Sequence, residues 1–318
     1  MELSVVVPIH NEEGNIKPLL EELTKALEGF DYEIILVDDG STDRTIEEVK
    51  KYMTPRTTLL VLNRNYGQSS AMEAGIQFAH GDIIVTIDGD LQNDPADIPK
   101  LVEKLEEGYD VVAGIRQKRK DEPFRKFLSK VANKIIQKVT GVKITDYGCT
   151  LKAFRKDVAK GLGLYGELHR FIPILADIYG AKITEIPVNH RPRLHGKSKY
   201  GFNRIFKVIS DLMYLVFIQR FGQKPMHFFG TIGFLMFSAG FLIGVYLFIL
   251  KILGHSIGGR PLLTFGVVLL IGGIQLITTG FIAEMLVRTY YESQGKRPYR
   301  VKEIIRKGGG SAILPHGD

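Results

Sequence analysis

Two stretches decide what this chain can become. "HFFGTIGFLMFSAGFLIGVYLFIL", from His227 to Leu250, runs for 24 residues without Asp, Glu, Lys or Arg. "PLLTFGVVLLIGGIQLITTGFIA", from Pro261 to Ala283, adds 23 more. A helix needs about 20 apolar residues to cross the hydrocarbon core of a bilayer. Each run is long, uncharged and apolar on every face, which argues against a pair of buried core helices. The connection "KILGHSIGGR" is short, so a transmembrane hairpin is expected over 226–285. The connection carries Lys251 and Arg260. The outer flanks carry Arg220 and Lys224 on one side, and Arg288, Lys296, Arg297, Arg300, Lys302, Arg306 and Lys307 on the other. The positive-inside rule then places both flanks, both termini and residues 1–225 in the cytoplasm. Gly240 and Gly244 have the spacing at which helices approach closely. The start, "MELSVVVPIHNEE", lacks a basic n-region and a long apolar h-region, so no signal peptide is expected.

Ahead of the hairpin, short β-type runs alternate with amphipathic stretches. The predicted strands are Leu3–Ile9, Glu33–Asp38, Thr58–Asn63, Asp82–Asp88 and Asp110–Ile115, with "KITEIPVNH" as the last. Near-continuous apolar strands separated by helices predict an α/β domain over 1–190, with a mostly parallel sheet covered on both faces. Ligands of such sheets bind at the carboxyl ends of the strands. There the chain reads "PIHNEEGN", "VDDGSTDRT", "NRNYGQSSAMEAG" and "IDGDLQNDP". Asp43 and Asp94 suit helix caps. Capping does not explain Asp88 and Asp90, which repel each other at a strand end unless a cation lies between them. With Gln92 they offer oxygen ligands suited to Mg²⁺ or Mn²⁺, and Mg²⁺ is usually shared between carboxylates and substrate phosphates. No Gly-x-Gly-x-x-Gly follows the first strand and no P-loop signature occurs, which argues against a dinucleotide dehydrogenase and a P-loop NTPase. Cys149 is the single cysteine, so no internal disulfide forms, and it reads as a packing residue. His169, His190 and His195 lack a zinc-ligand spacing.

Charge is divided along the chain. Residues 1–110 hold 9 Lys/Arg against 23 Asp/Glu, and residues 111–318 hold 33 against 12. Residues 111–225 alone hold 24 against 8. A basic half suits phosphates, an anionic lipid surface or nucleic acid. Nucleic acid would need aromatic platforms among the basic residues and would give Asp88 and Asp90 no role, so no such partner is expected. Over Phe202–Phe221, polar residues recur too often for a spanning helix. They predict interfacial amphipathic helices, which with the basic loop "RPRLHGKSKYGF" fill 191–225. Arg191 and Lys197 read as solvated, as do Lys118 to Lys120. Residues 286–318 form a basic tail whose end, "GGGSAILPHGD", is expected to lack structure.

Taken together, "VVVPIHNEEGNI", "ILVDDGSTDRT", "RNYGQSSAMEAGI" and "IVTIDGDLQNDP" resemble the family 2 inverting glycosyltransferases of the GT-A (Rossmann-like) fold. "AGIRQKR", "FRKFLSKVAN", "TDYGCTLKAFRKD", "EIPVNHRPRLHGKSKYGF" and the hairpin are similar to the polyprenyl-phosphate glycosyltransferases. That group spans dolichyl-phosphate mannose synthase and the undecaprenyl-phosphate glucosyl and formamidoarabinose transferases. The resemblance covers about residues 3–300. It implies transfer of one sugar from a nucleotide-sugar to a polyprenyl phosphate, with UDP, undecaprenyl phosphate and the bacterial inner (plasma) membrane as the expected setting, and a homo-oligomer such as a tetramer. Carried over by motif, Pro8, Asn11 and Glu12 contact the nucleotide, and Asp38 and Asp39 form the pair that reads the base. Asp88, Asp90 and Gln92 bind the metal. Arg116, Arg125 and Arg193 surround the phosphates, and Ser198 and Lys199 belong to the acceptor loop. Asp146 lies near the reacting sugar, as a base or as a positioning residue. His10 departs from the tyrosine that many relatives carry there.

Two other readings compete. A processive polysaccharide synthase of the same fold would show a Gln-x-x-Arg-Trp motif, but the chain has no tryptophan. A non-catalytic membrane scaffold would not need Asp90.

Overall fold

The computed structural model describes residues 1–116, 136–138, 140–164, 166, 168–192, 213–214, 216–218, 220–222, 224–293, 304–306 and 309–312. The chain divides into two compact units, Met1–Leu215 and Val216–Leu314.

The first unit is built on a seven-stranded sheet. Its strands are β1 (Leu3–Ile9), β2 (Tyr32–Asp38), β3 (Thr57–Val61), β4 (Ile83–Thr86), β5 (Val111–Arg116), β6 (Lys152–Arg155) and β7 (Ile183–Val188). They lie in the order β3-β2-β1-β4-β6-β5-β7. All pairings are parallel except those of β6, which runs antiparallel to β4 and to β5. The expected mostly parallel α/β sheet is therefore present. β6 is the addition that the sequence reading lacks.

Every residue of β1 and β2 is buried, as parallel strands covered on both faces require. Successive side chains of a strand point to opposite faces. Val5, Val7, Ile34 and Leu36 accordingly join one core with Leu19 and Leu23 of α1 (Ile16–Ala26) and Leu101 and Leu105 of α4 (Ile98–Glu106). Val6, Ile35 and Val37 join the other with Met72 and Ile76 of α3 (Gln68–Phe78). Ile172 and Ile174 of α6 (Ile172–Ile178) extend that second core. The remaining helices are α2 (Thr45–Tyr52) and α5 (Lys156–Lys160).

In the second unit, α7 (Pro225–Ile252) and α8 (Pro261–Ser293) form the hairpin. Their apolar windows have mean hydropathies of 2.3 and 2.0. Phe234, Leu242, Phe248, Ile271 and Leu286 are each more than 60% exposed, which core helices of a soluble protein would not tolerate. These helices are long and apolar enough to cross a membrane. Glycines set their contact. A Cβ on Gly233 would lie 2.7 Å from the Gly273 carbonyl oxygen, and one on Gly240 would lie 2.8 Å from that of Gly266. Each pair repeats after seven residues, the period of a helix–helix seam. Gly244 meets nothing within 4 Å, so the Gly240/Gly244 spacing is not what joins these two helices. Gly240→Ala is expected to lower the thermal stability of the hairpin in detergent by about 1–3 kcal/mol, because backbone would have to shift. Gly244→Ala should leave it unchanged.

Where residues 213–221 are described they are helical. Phe217 and Phe221 pack on Phe228 with ring centroids 5.6 and 5.0 Å apart. The tail, expected to end without structure, carries a short antiparallel pair, Ile304–Arg306 with Gly309–Ala312. The rest of the expected interfacial helix, like Lys197 and Lys118 to Lys120, lies outside the described residues.

Candidate active site

The chain leaves β1 toward β2 on one side of the sheet and later returns to place β4 on the other, so β1 and β4 flank the point where strand order reverses. Ligands of open α/β sheets bind outside the carboxyl ends of the strands at such a point. A cavity of about 330 Å³ opens there. Pro8, His10 and Glu12 reach it from the end of β1, Asp39 from β2, Asn65 and Gln68 from β3, and Asp88, Asp90 and Gln92 from β4. Because β6 is antiparallel, its beginning rather than its end meets the same rim, bringing Cys149, Thr150 and Lys152. Arg116 comes from the end of β5 and His190 from beyond β7.

Two loops adopt left-handed backbone at residues other than glycine, Asn11 at φ 57° and Leu91 at φ 59°. Such conformations cost about 1–2 kcal/mol and concentrate at functional sites. Leu91 turns the chain between Asp90 and Gln92, and the Gln92 N–H donates to Asp90 Oδ1 at 3.1 Å. Gly89 allows the loop to lie close to β1. A Cβ there would stand 2.7 Å from Ile9 Cγ2. Asp88 accepts from Gln68 Nε2 at 2.7 Å and from Thr150 Oγ1 at 2.6 Å. Burial, then the charge of Asp90, pushes the Asp88 carboxyl up to about 6. Lowering that strain is what a bound cation does. The donor set of two carboxylates and an amide oxygen suits a hard divalent ion that keeps part of its shell for substrate and water. Among the described residues no three His, Cys, Asp or Glu side chains form a metal-ligand group.

The two carboxylates after β2 have different surroundings. Asp39 lines the cavity, and its oxygens accept from the Tyr66 and Gly67 N–H groups at 2.7 and 2.9 Å. Asp38 is fully buried away from it, with Oδ2 accepting from the Ser41 N–H. Asn11 also lies off the wall. It closes the β1 loop onto the β2 loop by accepting from the Thr42 N–H at 2.8 Å. His10 lines the cavity and approaches the Asp39 carbonyl through Nδ1 at 2.9 Å.

Arg116 and Asp146 form a two-pronged pair, Nε to Oδ2 at 2.7 Å and Nη2 to Oδ1 at 2.8 Å. Arg116 faces the cavity and Asp146 stands behind it. Cys149 is buried, and burial pushes its thiol up to about 11, the opposite of what a nucleophile needs. Asp94 caps the turn Pro95–Asp97 through the Ala96 N–H, and Asp43 accepts from the Thr45 N–H. The solvated reading of Arg191 is corrected. Its guanidinium pairs with Glu22 at 2.7 Å and Asp94 at 2.8 Å, while its N–H donates to the Gln92 carbonyl. With the Asn93–His190 bridge, this ties the start of the basic loop to the loop that carries Asp88 and Asp90. Arg125, Arg193, Ser198 and Lys199 lie outside the described residues.

Residues 4–163 match glycosyl transferase family 2. The chain belongs to this family. A curated family relative, dodecaprenyl-phosphate galacturonate synthase of Rhizobium johnstonii, is 46% identical over 315 residues, spanning 96% of this chain and 93% of that protein. Among solved structures, glucosyl-3-phosphoglycerate synthase of Mycobacterium tuberculosis with Mn²⁺, UDP and product superposes with a TM-score of 0.53 at 18% identity, over 69% of this chain and 79% of that one. The same enzyme with Mg²⁺ and UDP gives 0.53 at 17%, with the same coverage. These establish the GT-A fold of the first unit, and the family makes the chain a glycosyltransferase.

The motifs of this family 2 enzyme's sequence do not single out Gln68, Thr150, Lys152 or Arg170 as site residues, and they give His169 no role beyond excluding zinc. All five line the cavity. One signal was available. Lys152 stands in "CTLKAF", a lysine inside an apolar run.

Proposed function

We propose that this family 2 enzyme transfers a single sugar from a UDP-sugar to a polyprenyl phosphate at the cytoplasmic face of a membrane, with inversion. The observation that carries the proposal is the 46% identity, along nearly the whole chain, to a dodecaprenyl-phosphate sugar synthase. The two apolar helices support it, since such an acceptor never leaves the bilayer. The basic flanks of the hairpin support a cytoplasmic catalytic unit. The basic stretch 111–225 suits an anionic lipid surface.

In this reading Asp39 reads the base from the cavity wall, while Asp38 and Asn11 shape the turns that present it. Pro8, His10 and Glu12 flank the nucleotide. Asp88, Asp90 and the Gln92 side-chain oxygen would hold Mg²⁺ or Mn²⁺, whose contribution when bound is to neutralise the diphosphate. Arg116, aimed by Asp146, stabilises the charge that grows on the departing diphosphate. Arg125, Arg193, Ser198 and Lys199 keep the phosphate-binding roles that the resemblance implies. An oxygen of the acceptor phosphate attacks the anomeric carbon, and the bond from that carbon to the diphosphate oxygen breaks, releasing UDP with the electron pair. A phosphate monoester has its second pKa at about 6, so the nucleophile is already ionised and no strong base is required.

The test is a panel of UDP- and GDP-sugars with undecaprenyl or dodecaprenyl phosphate and Mg²⁺ or Mn²⁺, read by mass spectrometry of the lipid product. UDP-galacturonate leads the panel because galacturonate is what the relative's name specifies. A lipid-linked sugar is expected. No glycolipid from any donor overturns the proposal.

A further inference from the structure

The apolar span of α8 runs from Pro261 to Val287, and Gln275 lies at its centre, fourteen residues after its start and twelve before its end. At a rise of 1.5 Å per residue, that is within about 2 Å of the middle. Gln275 is exposed on the hairpin. The hydroxyls beside it are satisfied within the helix, Thr278 donating to the Ile274 carbonyl at 3.0 Å and Thr279 to the Gln275 carbonyl at 2.8 Å. The Gln275 amide itself makes no hydrogen bond among the described residues. The headgroups are about 15 Å away on either side, half the thickness of the hydrocarbon core. The two-carbon stem of a glutamine does not reach them, and an unpaired amide in hydrocarbon is costly.

The amide faces away from α7. Gly266, Gly273 and Gly280 are where α8 meets that helix. Cβ atoms on them would lie 2.8 Å from Ile243 Cγ2, 2.6 Å from the Phe237 nitrogen and 2.8 Å from Met226 Sδ. These glycines stand two positions before Val268, Gln275 and Ile282, about 200° around the helix. On that far side Val268, Ile271, Gln275, Thr278, Ile282 and Met285 follow one another in alternate steps of three and four residues, the spacing of a helix–helix seam. Val268, Ile271, Ile282 and Met285 are each more than half exposed. α8 thus carries two seams on opposite sides. One is filled by α7, and the other is open with an amide at its centre.

We infer that the open seam binds a second copy of this chain, α8 against α8, with the two Gln275 side chains hydrogen-bonded to each other. The amide selects this occupant. It carries both a donor and an acceptor. Copies of one chain enter the membrane in one orientation, so their Gln275 residues lie at the same depth. A twofold axis along the membrane normal sets the two helices parallel, and each amide then donates to the other's side-chain oxygen. A different protein would have to bring its own polar side chain to that depth. One polar residue within a seam also fixes the register of the pair. The family resemblance implies a homo-oligomer without assigning it a surface, and this seam supplies one. The inference stands on the hairpin crossing a bilayer, not on which sugar is transferred.

The experiment reconstitutes the full-length protein, one dye per chain, in lipid vesicles at increasing dilution and counts copies per complex by single-molecule photobleaching. A dimer, or a larger even-numbered assembly, is expected. Gln275→Leu should weaken association about tenfold, the scale of interhelical hydrogen bonds in a bilayer. At a dilution where both proteins are monomeric its melting temperature should match that of the unaltered chain, because Gln275 faces away from α7. Gln275→Asn, which keeps an amide, should associate more tightly than Gln275→Leu. Oxidation of Ile271→Cys, one turn from Gln275, should link two copies, whereas Leu242→Cys, exposed on α7, should not. The native Cys149 is buried. A chain that stays monomeric in vesicles overturns the inference, as does a Gln275→Leu variant that associates as tightly as the unaltered chain. Linking at Leu242→Cys in place of Ile271→Cys moves the contact to α7 and also overturns it. So does an Ile271→Cys chain that, in native membranes, links to a protein of another mass instead of to its own copy. Each of these results leaves the proposed function standing.

Discussion

Asp90→Ala is expected to lower sugar transfer by about 10²–10³-fold or more, the scale on which loss of one group that stabilises developing charge is felt. The protein should remain folded. Asp90 is 7% exposed and shapes the turn through Leu91 by accepting from the Gln92 N–H. Its removal therefore takes away a carboxylate and loosens the Gln92 side chain together. Stability should move the other way. Asp88 and Asp90 repel each other in a buried loop, and part of the rise of the Asp88 carboxyl to about 6 comes from Asp90. Without bound cation, the alanine variant is expected to melt at or above the temperature of the unaltered chain, the usual relation where a site is strained for function. Melting temperature and lipid-product mass spectrometry on the same preparations check both halves. Chelator should silence the unaltered enzyme, and Mg²⁺ or Mn²⁺ should restore it. Transfer by Asp90→Ala at the unaltered rate with added metal would remove Asp88, Asp90 and Gln92 from the chemistry.

What the sequence exposes and what it hides follow from the range of the forces involved. β1 and β2 are legible because seven consecutive buried residues leave an unbroken apolar run. Asp88 and Asp90 are legible because their mutual repulsion is local, two residues apart, and demands a cause. β6 is hidden because it has four residues, one a lysine and one an arginine. Its antiparallel direction depends on the connection from β5, not on anything within "KAFR". Lys152 then escapes notice as a site residue, since lysine ordinarily signals solvent. Arg191 misleads for a related reason. Its neighbours in the chain are basic, so it reads as solvated, but Glu22 and Asp94 lie 169 and 97 positions away. Asp146 looks like a turn residue until Arg116, 30 positions earlier, is brought against it. Local repulsion and burial leave marks in sequence, whereas long-range pairing does not.

That last pair supports the second large expected effect. Asp146→Ala should destabilise the catalytic unit by about 3–5 kcal/mol, because it strands Arg116 as a poorly compensated charge. The side chains are 17% and 7% exposed, so water is a poor substitute partner. Asp146 Oδ2 accepts from the Arg116 backbone N–H and Nε, and Oδ1 accepts from Nη2 and the Gly148 N–H. Each oxygen thus already has two donors, the usual capacity of a carboxylate oxygen. The Thr145 and Asp146 N–H groups are held in turn by Glu185 Oε1, which fixes the loop. A carboxylate with its acceptor sites filled is poorly placed to take a proton, and the phosphate acceptor needs none taken. Asp146→Asn is therefore expected to lower kcat by about 10²-fold through misplacement of Arg116, without changing the shape of the pH–rate profile. Loss of the acidic limb of that profile in Asp146→Asn would instead mark a general base. The double variant Arg116→Gln/Asp146→Asn should be more stable than Asp146→Ala alone, since it leaves no charge behind. A double-mutant cycle on melting free energy measures that coupling directly. If Asp146→Ala melts within about 0.5 kcal/mol of the unaltered chain, the pair is not a buried ion pair in solution and Arg116 must be aimed by something else.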